Sequence, residues 1–198
     1  MLHFHGNGDL AHNWVDWGND VAQHTGYSVF LAEYRGYGGL PGRPTYDGVM
    51  NDARATLAFL EERYGLSPSE IVLYGHSLGT GVAAQLAAEQ GARAVLLESP
   101  LTSIVAAGQR SFIPPFSYVV PYISRIHWAP VDDVRKIQAP VWVACGDCDE
   151  VCPASMSEEV YAAALHQGEY LLVPQAEHGN VVDIGGDDYW AWLIRALN

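Results

Sequence analysis

Residues 71–90 read Ile71-Val72-Leu73-Tyr74-Gly75-His76-Ser77-Leu78-Gly79, followed by the Ala-rich run Thr80-Gly81-Val82-Ala83-Ala84-Gln85-Leu86-Ala87-Ala88-Glu89-Gln90. Ile71–Tyr74 is a short apolar run of the kind buried in a parallel sheet, and Leu78–Gln90 suits a helix. Between them the chain must reverse sharply, and glycines stand on both sides of the turn. A side chain at position 75 or 79 would collide across it. Ser77 sits at the apex in strained backbone, its hydroxyl lifted above the sheet edge. The free N–H groups of the helix start aim at the same point. A G-x-S-x-G string is weak evidence alone, but between a strand and a helix it is specific.

Working outward, short β-branched or apolar runs alternate with longer Ala-rich segments, the pattern of a mostly parallel sheet covered by helices on both faces. The pattern predicts strands at Leu2–His5, Tyr27–Tyr34, Ile71–Tyr74, Ala94–Glu98, Val141–Cys145 and Tyr170–Val173. Helices are predicted at about Ala11–Thr25, Tyr46–Tyr64, Leu78–Gln90, Ala154–Gln167 and Asp187–Leu197. In the second helix Val49, Ala53, Leu57 and Leu60 recur at helical spacing, and Gly65 then stops it. The stretch Pro100–Pro140 is different, with further prolines at 114, 115, 121, 130 and 140 and aromatics between them. It is too broken for one long helix and too apolar for a solvated linker.

The chain has 198 residues, 49% hydrophobic and 17% charged, which fits one globular domain spanning 1–198. With Lys+Arg 10 against Asp+Glu 23, the formal charge is -13. Such a surface repels phosphate backbones and anionic lipid, so neither nucleic acid nor a membrane surface is an expected partner. No apolar run approaches the roughly 18 residues of a membrane span. The N-terminus lacks a basic segment followed by an apolar stretch, so no signal peptide is read and a cytoplasmic protein is expected. The cysteines number 3 and lie close together, which makes no disulfide framework.

A serine hydroxyl is a poor nucleophile without a base and an acid that orients the base. On this kind of turn the chain order is serine, acid, histidine. His178, in Gln175-Ala176-Glu177-His178-Gly179-Asn180, follows the last predicted strand and is the expected base. His166 is read on a helix facing solvent, and His127 as a packing residue of the proline-rich stretch. The acid belongs on the loop Gly146-Asp147-Cys148-Asp149-Glu150-Val151-Cys152-Pro153, or at Glu98. Spacing alone leaves Asp147, Asp149, Glu150 and Glu98 open. Two backbone N–H groups should bind the oxyanion, one from Leu78 and one from Asn7 in the glycine-rich exit of the first strand.

Taken together, His5-Gly6-Asn7-Gly8, Tyr34-Arg35-Gly36-Tyr37-Gly38, Gly75–Gly79, Leu97-Glu98-Ser99-Pro100, Gly146–Pro153 and His178-Gly179 resemble the serine α/β-hydrolase superfamily. The similarity is greatest to its capless esterase branch, which includes bacterial short-chain esterases and eukaryotic protein depalmitoylases. The resemblance implies a three-layer fold of about six strands here, without the first two of the usual eight. It also implies the triad Ser77, Asp149 and His178, since the family's acid loop reads G-x-x-D-x-x-V-P and Asp149 fills its aspartate place. No cofactor and no metal are implied. The expected activity is hydrolysis of carboxylic esters with short to medium acyl chains. The alternatives are a thioesterase with the same triad, acting on S-acyl protein or acyl-CoA, a less favoured amidase or peptidase, and a non-catalytic binding protein on the same fold.

The segment 100–131 is expected to form a short apolar insertion lining the acyl pocket, with Phe112, Ile113, Phe116 and Tyr118 as pocket residues and Val119 and Tyr122 beside them. Without the two usual strands, Tyr27–Tyr34 becomes a long apolar sheet edge, and the expectation is either pairing with a second copy there or a protein that starts further upstream. Cys145, Cys148 and Cys152 lack the spacing of a closed zinc site. His3, His5 and His12 form at best a weak metal pattern, and Arg35 with its glycines resembles a phosphate cradle only superficially.

Overall fold

A computed structural model describes residues 1–111 and 127–198 of the chain. Six strands form one sheet: β1 (Leu2–Phe4), β2 (Phe30–Ala32), β3 (Val72–His76), β4 (Ala94–Glu98), β5 (Val141–Gly146) and β6 (Gln167–Val173). All adjacent pairs are parallel, in the order β2-β1-β3-β4-β5-β6. The chain thus winds from β1 to one edge, then returns past it and builds the rest of the sheet in the other direction. The crevice at the carboxyl ends of β1 and β3 is where the winding reverses, the usual place for a ligand in such sheets.

Helices α1 (Val15–Thr25) and α7 (Val181–Leu197) cover one face. The other face carries α2 (Tyr46–Tyr64), α3 (Leu78–Gln90), α5 (Pro130–Asp133) and α6 (Ala154–Ala163), while α4 (Ile104–Ser111) sits near the acid loop. The two-residue alternation of a strand sorts the core. Val72 and Tyr74 meet Trp17, Tyr189 and Trp192, whereas Leu73 meets Leu57, Val82 and Leu86 on the opposite face. Thr45 caps α2 by accepting the Gly48 N–H at 3.2 Å, and Gly65 ends that helix in the left-handed region at φ 70.

Helices α2 and α3 have the predicted bounds, and several other elements differ for local reasons. The edge strand is three residues long rather than eight, because β1 ends at Phe4 and offers partners only to Phe30, Leu31 and Ala32. Tyr27 instead reaches α7 and donates its hydroxyl to the Leu197 carbonyl at 2.7 Å. The first helix begins as a 3-10 turn over Ala11–Trp14. Helix α6 stops at Ala163 because Ala164 is extended, so His166 lies in the following turn and not on a helix. The His166 carbonyl accepts the Val141 N–H at 2.8 Å, which draws β6 back to start at Gln167. Helix α7 starts at Val181, six residues early, since Gly186 at φ 46 absorbs a kink where the sequence pattern breaks.

Among the described residues, the bulkiest fully buried side chain on the α1/α7 face is Trp192, with its N–H on the Glu169 carbonyl at 3.2 Å. Trp192→Ala is expected to lower unfolding stability by about 3–5 kcal/mol. Arg54→Ala, which removes the exposed pair to Glu89 at 2.8 Å, is expected to cost less than about 1 kcal/mol. Urea titration of both variants checks the contrast, and equal losses would contradict it.

Candidate active site

The turn from β3 to α3 confirms the steric reading of the glycines. A methyl group on Gly75 would run into the Gly79 and Thr80 main chain, and one on Gly79 into the Phe4 and His5 carbonyls. Ser77 has φ 53 and ψ -118, backbone that a non-glycine residue adopts only under constraint. The constraint is visible: the Ser77 N–H donates to the Glu98 carbonyl at 2.9 Å, and the Thr80 N–H donates to the Ser77 carbonyl at 3.0 Å.

Two further loops converge on the serine hydroxyl. His178, between β6 and α7, places Nε2 2.9 Å from Ser77 Oγ and Nδ1 2.7 Å from Asp149 Oδ2. Asp149 is buried, and its other oxygen accepts the N–H groups of Val151 at 2.9 Å and Cys152 at 2.7 Å. Burial pushes the Asp149 carboxyl up, but the His178 hydrogen bond and the Cys152 N–H more than reverse this, leaving it below its ordinary value. The carboxylate is therefore acceptor-only, and its partner nitrogen Nδ1 must carry a proton. That leaves Nε2 in the neutral ring free to accept from the serine.

The other candidate acids lie elsewhere. Asp147 is exposed and accepts the Gln175 N–H at 2.6 Å, tying the acid loop to the histidine loop. Cys148 N–H on the Ala176 carbonyl at 2.9 Å makes a second tie, and Gly146 lies so close to Ala176 that a methyl group there would strike its carbonyl. Glu150 is exposed. Glu98 is buried behind the serine, where it takes the Tyr74 hydroxyl. Cys152 fills the valine place of the loop pattern as a buried packing residue against Leu101 and Met156, and burial pushes its thiol up to about 12.

The exit of β1 borders the same point. A methyl group on Gly6 would lie 3.2 Å from Ser77 Cβ, so the loop carrying Asn7 abuts the serine. This loop is gripped from below by a pair the sequence reading missed. His5 Nε2 meets Glu33 Oε1 at 2.8 Å, and Glu33 also accepts the Tyr34 N–H at 3.0 Å and the Ala11 N–H at 3.1 Å. Tyr37 donates its hydroxyl to Asn7 Oδ1 at 2.9 Å, which holds Asn7 from the other side. Glu33 precedes the Tyr34–Gly38 string that the resemblance singled out, and this adjacency was the available signal. Leu78 opens α3 directly after the serine.

A cleft of about 410 Å³ opens beside His178, lined by Cys148, Glu150, Val151, Glu177 and Gly179. The expected pocket residues Phe112, Ile113, Phe116 and Tyr118 lie outside the described residues, as do Val119 and Tyr122. Arg35 forks onto Asp52 at 2.9 and 2.6 Å, so its guanidinium is occupied by a carboxylate. His3 is enclosed by Trp14, Trp17 and Tyr74, and burial drives its ring well below the ordinary histidine range. Among the described residues no three of His, Cys, Asp and Glu gather as a metal site requires, and no helix is long and apolar enough to cross a membrane.

The family described as alpha/beta hydrolase fold matches residues 1–119. A Mycobacterium tuberculosis protein is 36% identical over 163 residues, covering 81% of this chain and 56% of its own length. Alpha/beta hydrolase domain-containing protein 17B of Homo sapiens is 30% identical over 185 residues, 91% of this chain and 60% of that protein. The chain thus spans less than two thirds of either relative. Among solved structures, a Pyrococcus furiosus esterase superposes with a TM-score of 0.76 at 19% identity, over 100% of this chain and 83% of the other. A monoacylglycerol lipase of Paleococcus ferrophilus gives 0.72 at 17% identity, over 99% of this chain and 92% of the other. These structures share the fold.

The Asp149 carboxyl gives a signed prediction for stability. A folded value held below the ordinary 3.8 contributes stability that is fully present above 3.8 and disappears as pH falls through the depressed folded value. Wild type is therefore expected to lose stability more steeply than Asp149→Asn as pH falls below 3.8. Denaturant unfolding between neutral and acid pH measures this, and parallel curves would contradict it.

Proposed function

The chain belongs to the alpha/beta hydrolase family, and from that membership we propose that it is a serine hydrolase of carboxylic esters with short to medium acyl chains. The observation that supports this most is the His178 ring, 2.9 Å from Ser77 Oγ on one side and 2.7 Å from Asp149 on the other. The ring takes the proton of the Ser77 hydroxyl as the oxygen adds to the ester carbonyl. Asp149 keeps the ring in the right tautomer and stabilises its charged form. The carbonyl oxygen, now an oxyanion, is received by the main-chain N–H groups of Asn7 and Leu78. His178 then returns its proton to the departing alkoxide, which leaves as the alcohol, and the acyl group remains on Ser77. Water repeats the addition, giving its proton to His178, and the collapse releases the acid and restores the serine. No step calls for a cofactor.

Phe112, Ile113, Phe116 and Tyr118 are proposed to receive the acyl chain, in an insertion over 100–131 that is too short for a large lid. The acidic chain and the Glu150 and Glu177 carboxylates along the cleft favour an uncharged ester over acyl-CoA. Self-association along Phe30–Ala32 belongs to the same proposal, since β2 has β1 on one side and no strand on the other among the described residues. Sedimentation at rising concentration reads it, and a monomer throughout removes it.

Steady-state hydrolysis of p-nitrophenyl esters of increasing chain length tests the activity. Ser77→Ala is expected to lower turnover on the order of 10⁶-fold. The acyl-length optimum is expected among short to medium chains. Much faster cleavage of an S-acyl cysteine peptide than of its matched oxygen ester would replace the ester reading by a thioesterase. Ester binding without turnover would replace it by a binding protein.

A further inference from the structure

Among the described residues, Glu98 is the one buried carboxylate beside the serine that the proposed mechanism leaves idle. The register of β3 and β4 sets His76 directly opposite Glu98, and the two-residue alternation puts Tyr74 on the same face. Tyr189 of α7 and Trp17 of α1 close over this face. The hydrogen bonds run in one direction. The Trp17 indole N–H can only donate, and it donates to the Tyr189 oxygen at 3.1 Å. Tyr189 lies 2.9 Å from the Tyr74 oxygen, and Tyr74 donates to Glu98. Burial above all, with the neighbouring Glu98 charge, pushes both phenols well above their ordinary range, so they remain donors. The chain of donors ends on the Glu98 carboxylate.

His76 stands above that carboxylate. Its Nε2 lies 3.2 Å from the main-chain carbonyl of His178 and 3.9 Å from Glu98 Oε1. Both are acceptors, so Nε2 carries the proton and donates to His178. The other edge of the ring faces the β1 exit loop, where a methyl group on Gly6 would come within 3.1 Å of Nδ1. One buried imidazole thus touches the loop of the base and the loop of the proposed oxyanion donor Asn7, and it precedes the serine in sequence.

We propose that His76, seated on Glu98, is a positioning residue that holds the His178 main chain in register with Ser77. This rests on the triad reading above and adds a residue that touches no reacting atom. Losing the donor lets the base loop drift, and a displacement of about 1 Å is enough to cost on the order of 10²-fold in rate.

Gln and Asn separate the roles at His76, because a glutamine amide nitrogen reaches the place of Nε2 and an asparagine amide only that of Nδ1. In p-nitrophenyl ester hydrolysis, with functional sites counted from the burst, His76→Gln is expected within about threefold of wild-type kcat. His76→Asn is expected to fall on the order of 10²-fold with KM unchanged. Equal kcat in the two variants, or a loss carried by KM, overturns the proposal. Glu98→Gln leaves the ring in place and gives an independent reading: a smaller fall in kcat at constant KM is expected, and unchanged kcat removes Glu98 from the device. Should Ser77→Ala turn over like wild type, the triad reading itself fails. A Ser77-dependent burst with indistinguishable Gln and Asn variants defeats only the role of His76.

Discussion

The turn between β3 and α3 has no room for a side chain at Gly75 or Gly79, and the site is arranged around that contact. Because α3 is pressed so closely onto the carboxyl ends of β1 and β3, Ser77 is forced to φ 53 and its hydroxyl stands clear of the sheet. The same closeness brings Gly6 against Ser77, so the loop of the proposed oxyanion donor Asn7 and the serine are set by one packing event. Strain of this kind costs on the order of 1–3 kcal/mol and persists only where the surroundings over-determine it. Here the Ser77 N–H bond to Glu98 and the Thr80 bond to the Ser77 carbonyl supply that determination.

Around this rigid point the remaining groups arrive on loops, and each loop is fixed by hydrogen bonds to carboxylates. Asp147 ties the acid loop to the histidine loop, Asp149 organises its own loop through two N–H groups, and Glu33 holds the β1 exit through His5. A chain with a formal charge of -13 thus uses several of its acids, from exposed Asp147 to buried Asp149, as acceptors for main-chain N–H and imidazole groups. An ionised carboxylate accepts hydrogen bonds about twice as strong as a neutral acceptor does, which suits loops that must not drift.

Much of this was legible before the structure because it depends on local sequence. The strand-turn-helix at Ser77, the bounds of α2 and α3 and the site of His178 after the last strand follow from periodicity and glycine placement. What was illegible depends on partners distant in sequence. The edge strand shrank to Phe30–Ala32 because β1, whose extent no local pattern reveals, ends at Phe4. His5 was legible as the head of the His5-Gly6-Asn7-Gly8 string, but its partner Glu33, 28 positions away, was not. Glu98 competed as an acid on spacing alone, and only the pairing of β3 with β4 put it under His76 and away from the His178 ring. The choice of Asp149 came from family resemblance, and the supporting geometry is its hydrogen bond to the ring.

A serine activated by an assembled triad reacts irreversibly with a fluorophosphonate, whereas an unactivated serine on the same fold does not. Intact-protein mass after exposure to such a probe reads this without knowledge of the natural ester. The account predicts one adduct per chain, mapped to Ser77 and absent from folded Ser77→Ala. No adduct on folded wild type, or an adduct that survives the substitution, would contradict it.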